Sequence, residues 1–380
     1  MHQLAQRSLS RLMLASWLAL VSTLAACNTR EPASPPPLPT QVMPTSTHFI
    51  EPSATAPATA TPTPPEPTPE PTQPLKIIRP QNVDQLAQTA AIRESGAQLF
   101  AWTMNGHSVA LGDENSINVY DIHPPQLESS VNGTPIFMET APDGKTLAWA
   151  DTDNLIHLVD LPSMQETMVF NDNTGAVTSL AFSPQGNLLA SAAFNNRVLI
   201  WDIETGKLQQ DWELSYWLDN LSFSPGGRLL AGADLPAFKE HMLEVASGEE
   251  VNTLSWQQEA IPALSGAFLS PDWKYLAWVA RSTVQLMDVE TGELGVTLEH
   301  EDYVNADVSW SPDGTLLASA AAGTVNGQFS NAIYIWDVNN TNPLNTLVVD
   351  NPIVEVAFST DRVELASLTS NGALQIWTIP

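Results

Sequence analysis

Residues 177–206 read VTSLAFSPQGNLLASAAFNNRVLIWDIETG. Leu180 and Phe182 alternate with smaller residues at a period of two, as a strand with one packed face requires. Ser183-Pro184-Gln185-Gly186 follows. Its Pro presets the second position of a type I turn and its Gly suits the fourth. Residues 188–192 make a second, apolar strand, Asn195-Asn196 a turn, and residues 198–202 a third strand. Glu204-Thr205-Gly206 then turns the chain into a fourth, outer strand.

The same pattern recurs along the chain. VSWSPDGTLLASAAAG…NAIYIWDV starts at Val308, LSFSPGGRLLAGAD at Leu221 and AFLSPDWKYLAWVARSTVQLMDVETG at Ala267. IFMETAPDGKTLAWADTDNLIHLVDL from Ile136 and VAFSTDRVELASLTSNGALQIWTI from Val356 align with them, and LFAWTMNGHSVALGDENSINVYDI from Leu99 is the most degenerate. The turn position falls at 104, 142, 184, 225, 271, 312 and 360, a mean spacing of about 43. Four strands on that period, with Trp201-Asp202, Trp336-Asp337 and Tyr120-Asp121 closing third strands, resemble WD40 repeats. The resemblance covers residues 85–380 and implies an all-β, seven-bladed propeller of four-stranded blades around a central channel. The chain stops just after a third strand, Ile376-Trp377-Thr378-Ile379-Pro380, while residues 85–93 (QLAQTAAIR) precede the first blade without one of their own. The N-terminal segment is therefore expected to close the ring as the missing outer strand, which also removes an exposed sheet edge.

The chain departs from the family in its polar network. WD40 blades often join Trp, Ser/Thr, Asp and a His; here blade three keeps Trp201 and Ser191 but has Asn195 and Asn173 for Asp and His. His300 resembles a surviving His in blade six, and Trp377, Ser367 and Asn371 match in part in blade seven. Blades two, four and five put Val159, Leu243 and Met287 at the Trp position. Apolar packing between blades can stand in for the lost hydrogen bonds.

Ahead of the repeats lies an address. Arg7 and Arg11 precede an apolar run of 13 residues, LMLASWLALVSTL, shorter than the ~20 a membrane-spanning helix needs. Basic head, short apolar middle and small residues before a boundary read as a secretory signal over residues 1–26. Leu24-Ala25-Ala26-Cys27 resembles the lipobox of bacterial lipoproteins, and Cys27 is the one Cys of the chain. The resemblance implies lipidation of Cys27 and anchoring in the cell envelope, on the extracytoplasmic side of a bacterial membrane; the alternative is a soluble secreted protein. Residues 27–75 form the linker, with 15 of the 30 prolines between 31 and 75, interleaved with Thr, Ala, Ser and Glu. Such a segment has little to bury and favours extended polyproline II, so it reads as a disordered tether, with a Pro-motif docking site as the alternative. The propeller takes residues 76–380.

Charge and cysteine count narrow the function. The formal net charge is −28, and from residue 76 onward 38 acidic residues face 11 basic ones. Nucleic-acid binding is not expected, because phosphate contacts need clustered Lys/Arg. One Cys leaves no intrachain disulfide and no CxxC pair. No Gly-X-Ser-X-Gly nucleophile turn or phosphate loop occurs, and the seven His are scattered without metal-ligand spacing. Asp143, Asp272 and Asp313 sit where turn geometry alone accounts for them, and Glu299, Glu301, Asp302 and Asp307 around Tyr303 lack the spacing of a calcium loop. No catalytic residue, metal or cofactor is assigned.

The repeat breaks where function is expected, since loops vary while the scaffold repeats. The connection between second and third strands lengthens in blade four to residues 234–241 and in blade six to residues 321–331. Tyr216 and Trp217 lead into blade four, Trp256 into blade five and Tyr303 into blade six. With Phe238 and Phe329 these aromatics are expected to converge on one face as anchors for a protein partner. The expected function is a non-catalytic protein-interaction platform. The alternatives are an enzyme or a small-molecule or sugar binder using the central channel, and an accessory lipoprotein of envelope assembly.

Overall fold

The computed structural model describes residues 76–103, 106–256, 264–280, 282–300, 304–325 and 328–380, with backbone alone at 264, 265, 280, 304–306 and 322–330. Cys27, the linker and Tyr303 lie outside the described residues, and so does the side chain of Phe329. The rest is a seven-bladed β-propeller.

Each blade is a four-stranded antiparallel sheet, and in blades one to six the strands follow one another in sequential order. Blades one to six span residues 99–132, 137–170, 177–213, 219–255, 264–299 and 304–348. The Ser-Pro-X-Gly turns show why the repeat is spelled that way. In blade three Ser183 Oγ accepts from Leu188 N at 3.0 Å, and Gly186 adopts φ +73° while its N–H donates to Ser183 O at 2.8 Å. Ser224, Ser270, Ser311 and Ser359 hold their turns through the same Oγ, so these serines are structural.

Blade seven takes its first three strands from residues 353–378 and its outer strand, Ala87–Arg93, from the start of the domain. Ala91 pairs with Gln375 and Ile92 with Leu374, as the expected closure at 85–93 requires. The segment before that strand also works as an arm. Ile78, Val83 and Leu86 are buried between blades six and seven, and Asn345 Nδ2 donates to Val83 O at 2.7 Å.

Seven apolar clusters fill the seven junctions between neighbouring blades, which places most of the folding energy between sheets. Polar latches tie the inner strands together: Ser179 Oγ accepts from Leu221 N, Asp307 from Val356 N and Glu355 from Phe100 N. Asp307 is therefore a buried inter-blade latch.

The polar network follows the sequence blade by blade. In blade six Ser319 Oγ receives Trp336 Nε1–H at 2.9 Å and lies 2.7 Å from His300 Nε2. In blade three Trp201 Nε1 donates instead to Asp172, and Ser191 Oγ to Asn173. Val159, Leu243 and Met287 are buried and apolar where the Trp is missing.

Both lengthened loops turn out shorter than expected, because strand pairing continues into them. In blade four the strands Leu229–Asp234 and Lys239–Glu244 leave only a short 3-10 turn, Leu235–Ala237, and Phe238 between them. In blade six the expected loop 321–331 is mostly hairpin, built by strands Leu316–Val325 and Gln328–Asp337.

Candidate functional site

Two adjoining pieces of chain on the loop face build a cleft between blades three and four. The first is the connection holding Ser215, Tyr216 and Trp217; the second is the 3-10 turn after Asp234. Asp234 accepts from Ala237 N at 3.2 Å and caps the turn, Pro236 lies within it, and Phe238 ends it at φ +56°. Left-handed backbone is costly for a residue with a Cβ, so packing must hold Phe238 in place. The cleft has a volume of about 380 Å³ and is lined by Asn196, Ser215, Tyr216, Trp217, Asp234, Pro236 and Ala237.

Its aromatic wall is fixed from behind. Trp217 meets Phe194 edge-on, with ring centroids 5.4 Å apart. Tyr216 stacks on His241 at 3.8 Å with ring planes 13° apart, and its hydroxyl donates to Glu250 at 2.8 Å. His241 Nδ1 lies 2.7 Å from the same carboxylate, and Thr253 Oγ1 donates to it at 2.5 Å. Burial alone would raise the Glu250 carboxyl, but the hydrogen bonds from Thr253, Tyr216 and His241 outweigh it and hold the pKa below the ordinary value. Burial, and then the Glu250 carboxylate, push the Tyr216 phenol up, so it stays a neutral donor.

The sequence carried a signal for this arrangement that goes beyond loop length. Blade two repeats the same set: His157 lies between Asp151 (3.3 Å) and Glu166 (2.7 Å), as His241 lies between Asp234 (3.8 Å) and Glu250. In both blades the Glu follows the His by nine residues. In blade two the stacked ring is Trp149, directly across the strand pair from His157 at 3.9 Å. In blade four the equivalent position is Gly232, and the ring comes instead from Tyr216 on the connection.

The six expected anchors do not all meet. Tyr216 and Trp217 line the cleft. Phe238 is half-buried against the cluster joining blades four and five. Trp256, expected as an exposed anchor, is only 4% exposed and stacks on Trp278 at 5.8 Å, while its backbone N–H donates to Phe238 O. It is core, because its ring is buried in the apolar cluster that joins blades four and five. The backbone of Phe329 pairs with Thr324 in blade six, away from this cleft.

The arrangement is suited to binding through ring faces, an amide and a carboxylate. Among the described residues no group of three or more His, Cys, Asp or Glu could hold a metal ion.

Comparison with known proteins bears on the repeats. The family profile described as WD domain, G-beta repeat matches residues 164–202 and 292–337. The chain carries WD40 repeats. It is similar to a WD repeat-containing protein, SL1-17, of Schistosoma mansoni, at 30% identity over 40% of this chain and 50% of the relative. It is also similar to the transcriptional corepressor LEUNIG_HOMOLOG of Arabidopsis thaliana, at 22% identity over 62% of this chain and 29% of the relative. Actin-interacting protein 1 of Drosophila melanogaster is 20% identical over 67% of this chain and 41% of the relative. The chain spans half or less of the length of these relatives. WD40 propellers are typically protein-interaction scaffolds.

Proposed function

We propose that this chain is a non-catalytic protein-interaction platform, held by a lipid on Cys27 at the extracytoplasmic side of a bacterial membrane, that docks a protein partner on its loop face. The observation that carries the docking reading is the cleft, where Tyr216 and Trp217 stand half-exposed on a rigid backing beside Asn196 and Asp234. Binding energy concentrates in a few aromatic anchors set in pockets, and this cleft offers two adjacent ones. The relative named as an actin-interacting protein is in keeping with a partner-binding role. The acidic composition from residue 76 onward, 38 acidic against 11 basic residues, suits an aqueous compartment and disfavours docking on anionic headgroups or nucleic acid.

The test is a quantitative crosslinking pull-down from intact cells, with melting temperature measured on the same samples. Trp217→Ala is expected to weaken capture of a native partner tenfold or more, with little change in melting. Trp256→Ala is expected to lower the melting temperature sharply, since truncating a buried Trp costs about 3–5 kcal/mol. Normal capture by a folded Trp217→Ala variant would remove the cleft from the interface.

A further inference from the structure

Blade six holds a second feature on the loop face. Its second and third strands run ten residues each, against five to seven in every other blade. They pair without a register shift from Leu316↔Asp337 to Val325↔Gln328. The flanking strands stop earlier: the first strand's last described pairing is Val304↔Ala321, and the fourth's is Val348↔Ala332. Val349 N then donates to Asn331 O at 2.9 Å, and the chain turns away. The pairs Gly323↔Ser330, Thr324↔Phe329 and Val325↔Gln328 thus continue as a two-stranded ribbon. At about 3.4 Å per residue it projects roughly 10 Å beyond the four-stranded blade. Among the described residues no third strand pairs with these rows.

Exposed strand edges are normally blunted by charge, proline or a bulge, because free N–H and C=O groups template further pairing. The outer strands of blades one to five follow that rule with Glu128, Glu166, Asp211, Glu250 and Glu299. The ribbon breaks it. Residues 314–336 include no charged residue, in a domain where about one residue in six is charged, and the ribbon has neither proline nor bulge.

We infer that this ribbon is a strand-addition site, where an extended, uncharged or basic segment of a protein partner pairs with the backbone edge of residues 328–330. Main-chain hydrogen bonds supply affinity in such a mode. Charge selects the occupant. A second copy would bring another domain of the same strong negative charge within reach of this one, whereas a neutral or basic segment meets no such repulsion.

A library of random 12-residue peptides displayed on phage, selected against the full chain, tests this without knowing the partner. Enriched peptides are expected to alternate β-branched or aromatic residues and to lack acids. Their binding should slow amide hydrogen exchange at Phe329, the residue of this span whose N–H faces the free edge. Two variants separate binding from folding. Phe329→Pro removes an edge-facing N–H, since Asn331 O two residues on already faces outward to Val349 N. The second is a hairpin shortened by deleting Thr324, Val325, Gln328 and Phe329. Each should lose tenfold or more in peptide affinity with melting nearly unchanged, while Trp217→Ala binds the peptides normally, so this result stands or falls apart from the cleft. Failure to enrich such peptides, binding that survives both variants, or protection elsewhere on the chain overturns the inference. Concentration-dependent dimerisation abolished by the shortened hairpin also overturns it, since the edge would then belong to a second copy.

Discussion

At the scale of single residues, His300 shows how one buried polar group is made safe and what that implies for acid stability. Trp336 donates to Ser319 Oγ, Ser319 donates its hydroxyl proton to His300 Nε2, and His300 Nδ1–H faces Ser282 O at 3.2 Å. That chain of donors works only with Nε2 unprotonated. Burial pushes the imidazole down to about 4, against an ordinary value of 6.5, and the Ser282 carbonyl offsets only part of the effect. The unfolded chain takes up a proton near pH 6.5 and the folded one does not until about 4. Folding therefore loses stability as pH falls through that window and keeps it in full above. The gap corresponds to an upper bound of roughly 3 kcal/mol. His300→Gln is expected to be less stable at pH 7 but to lose less between pH 7 and 4.5 than the wild type. Denaturant melts at both pH values measure this, and an identical pH dependence in the two proteins would show that His300 is not the group involved. His300 could be picked out in the sequence. The burial of Trp256 could not, because it is decided by Trp278 on the next blade, a contact to which local periodicity is blind.

At the scale of elements, ring closure is the most consequential pairing. The strand Ala87–Arg93 covers the edge of blade seven, and Ile78, Val83 and Leu86 seal the junction with blade six. At about 1.5–3 kcal/mol for each fully buried side chain, the arm matters as much as the strand. Deleting residues 76–94 is expected to lower the melting temperature of the domain by 10 °C or more, or to prevent folding. Deleting residues 31–70 should leave it unchanged; equal melting of the two deletions in calorimetry would mean the ring is held shut by other contacts. This closure was legible because the turn motif recurs seven times and the last copy ends one strand short. The ribbon of blade six was not read from length alone, since residues 321–331 look like any long insertion. The Asn326-Gly327 pair, the strongest short-range hairpin signal, was the clue that should have turned loop into strand. In the cleft, Tyr216 and Trp217 were legible as aromatics on a connection. Their backing by His241 was not, because it depends on Gly232 leaving a place that Trp149 fills two blades earlier.

At the scale of the whole molecule, the two faces of the propeller carry different parts of the proposed function. The closing strand runs from the face of the Ser-Pro-X-Gly turns, where Ile78 N donates to Arg362 O, to the opposite face, where Glu94 N donates to Gly372 O. Lys76, whose Nζ donates to Pro380 O at 2.6 Å, is thus on the turn side, and residues 1–75 join the domain there. The cleft, built around Asn196, Trp217 and Asp234, and the blade-six ribbon both lie on the other side. On the proposed reading, in which Cys27 is acylated, the docking face is the one opposite the end where the domain begins, at Lys76. Shortening the tether turns this into a measurable asymmetry. In a variant lacking residues 31–70, energy transfer from a fluorophore on Gln185→Cys, at a turn, to a dye in the lipid headgroups is expected to exceed transfer from the same fluorophore on Asn196→Cys. In the full-length chain both signals should be weak. Cys27→Ser should abolish transfer at both positions, along with incorporation of a palmitate analogue, which separates failure of the anchor from failure of the orientation. Equal transfer at the two positions in the acylated short-tether variant, or stronger transfer at Asn196→Cys, would mean that the face bearing the cleft is not turned away from the membrane.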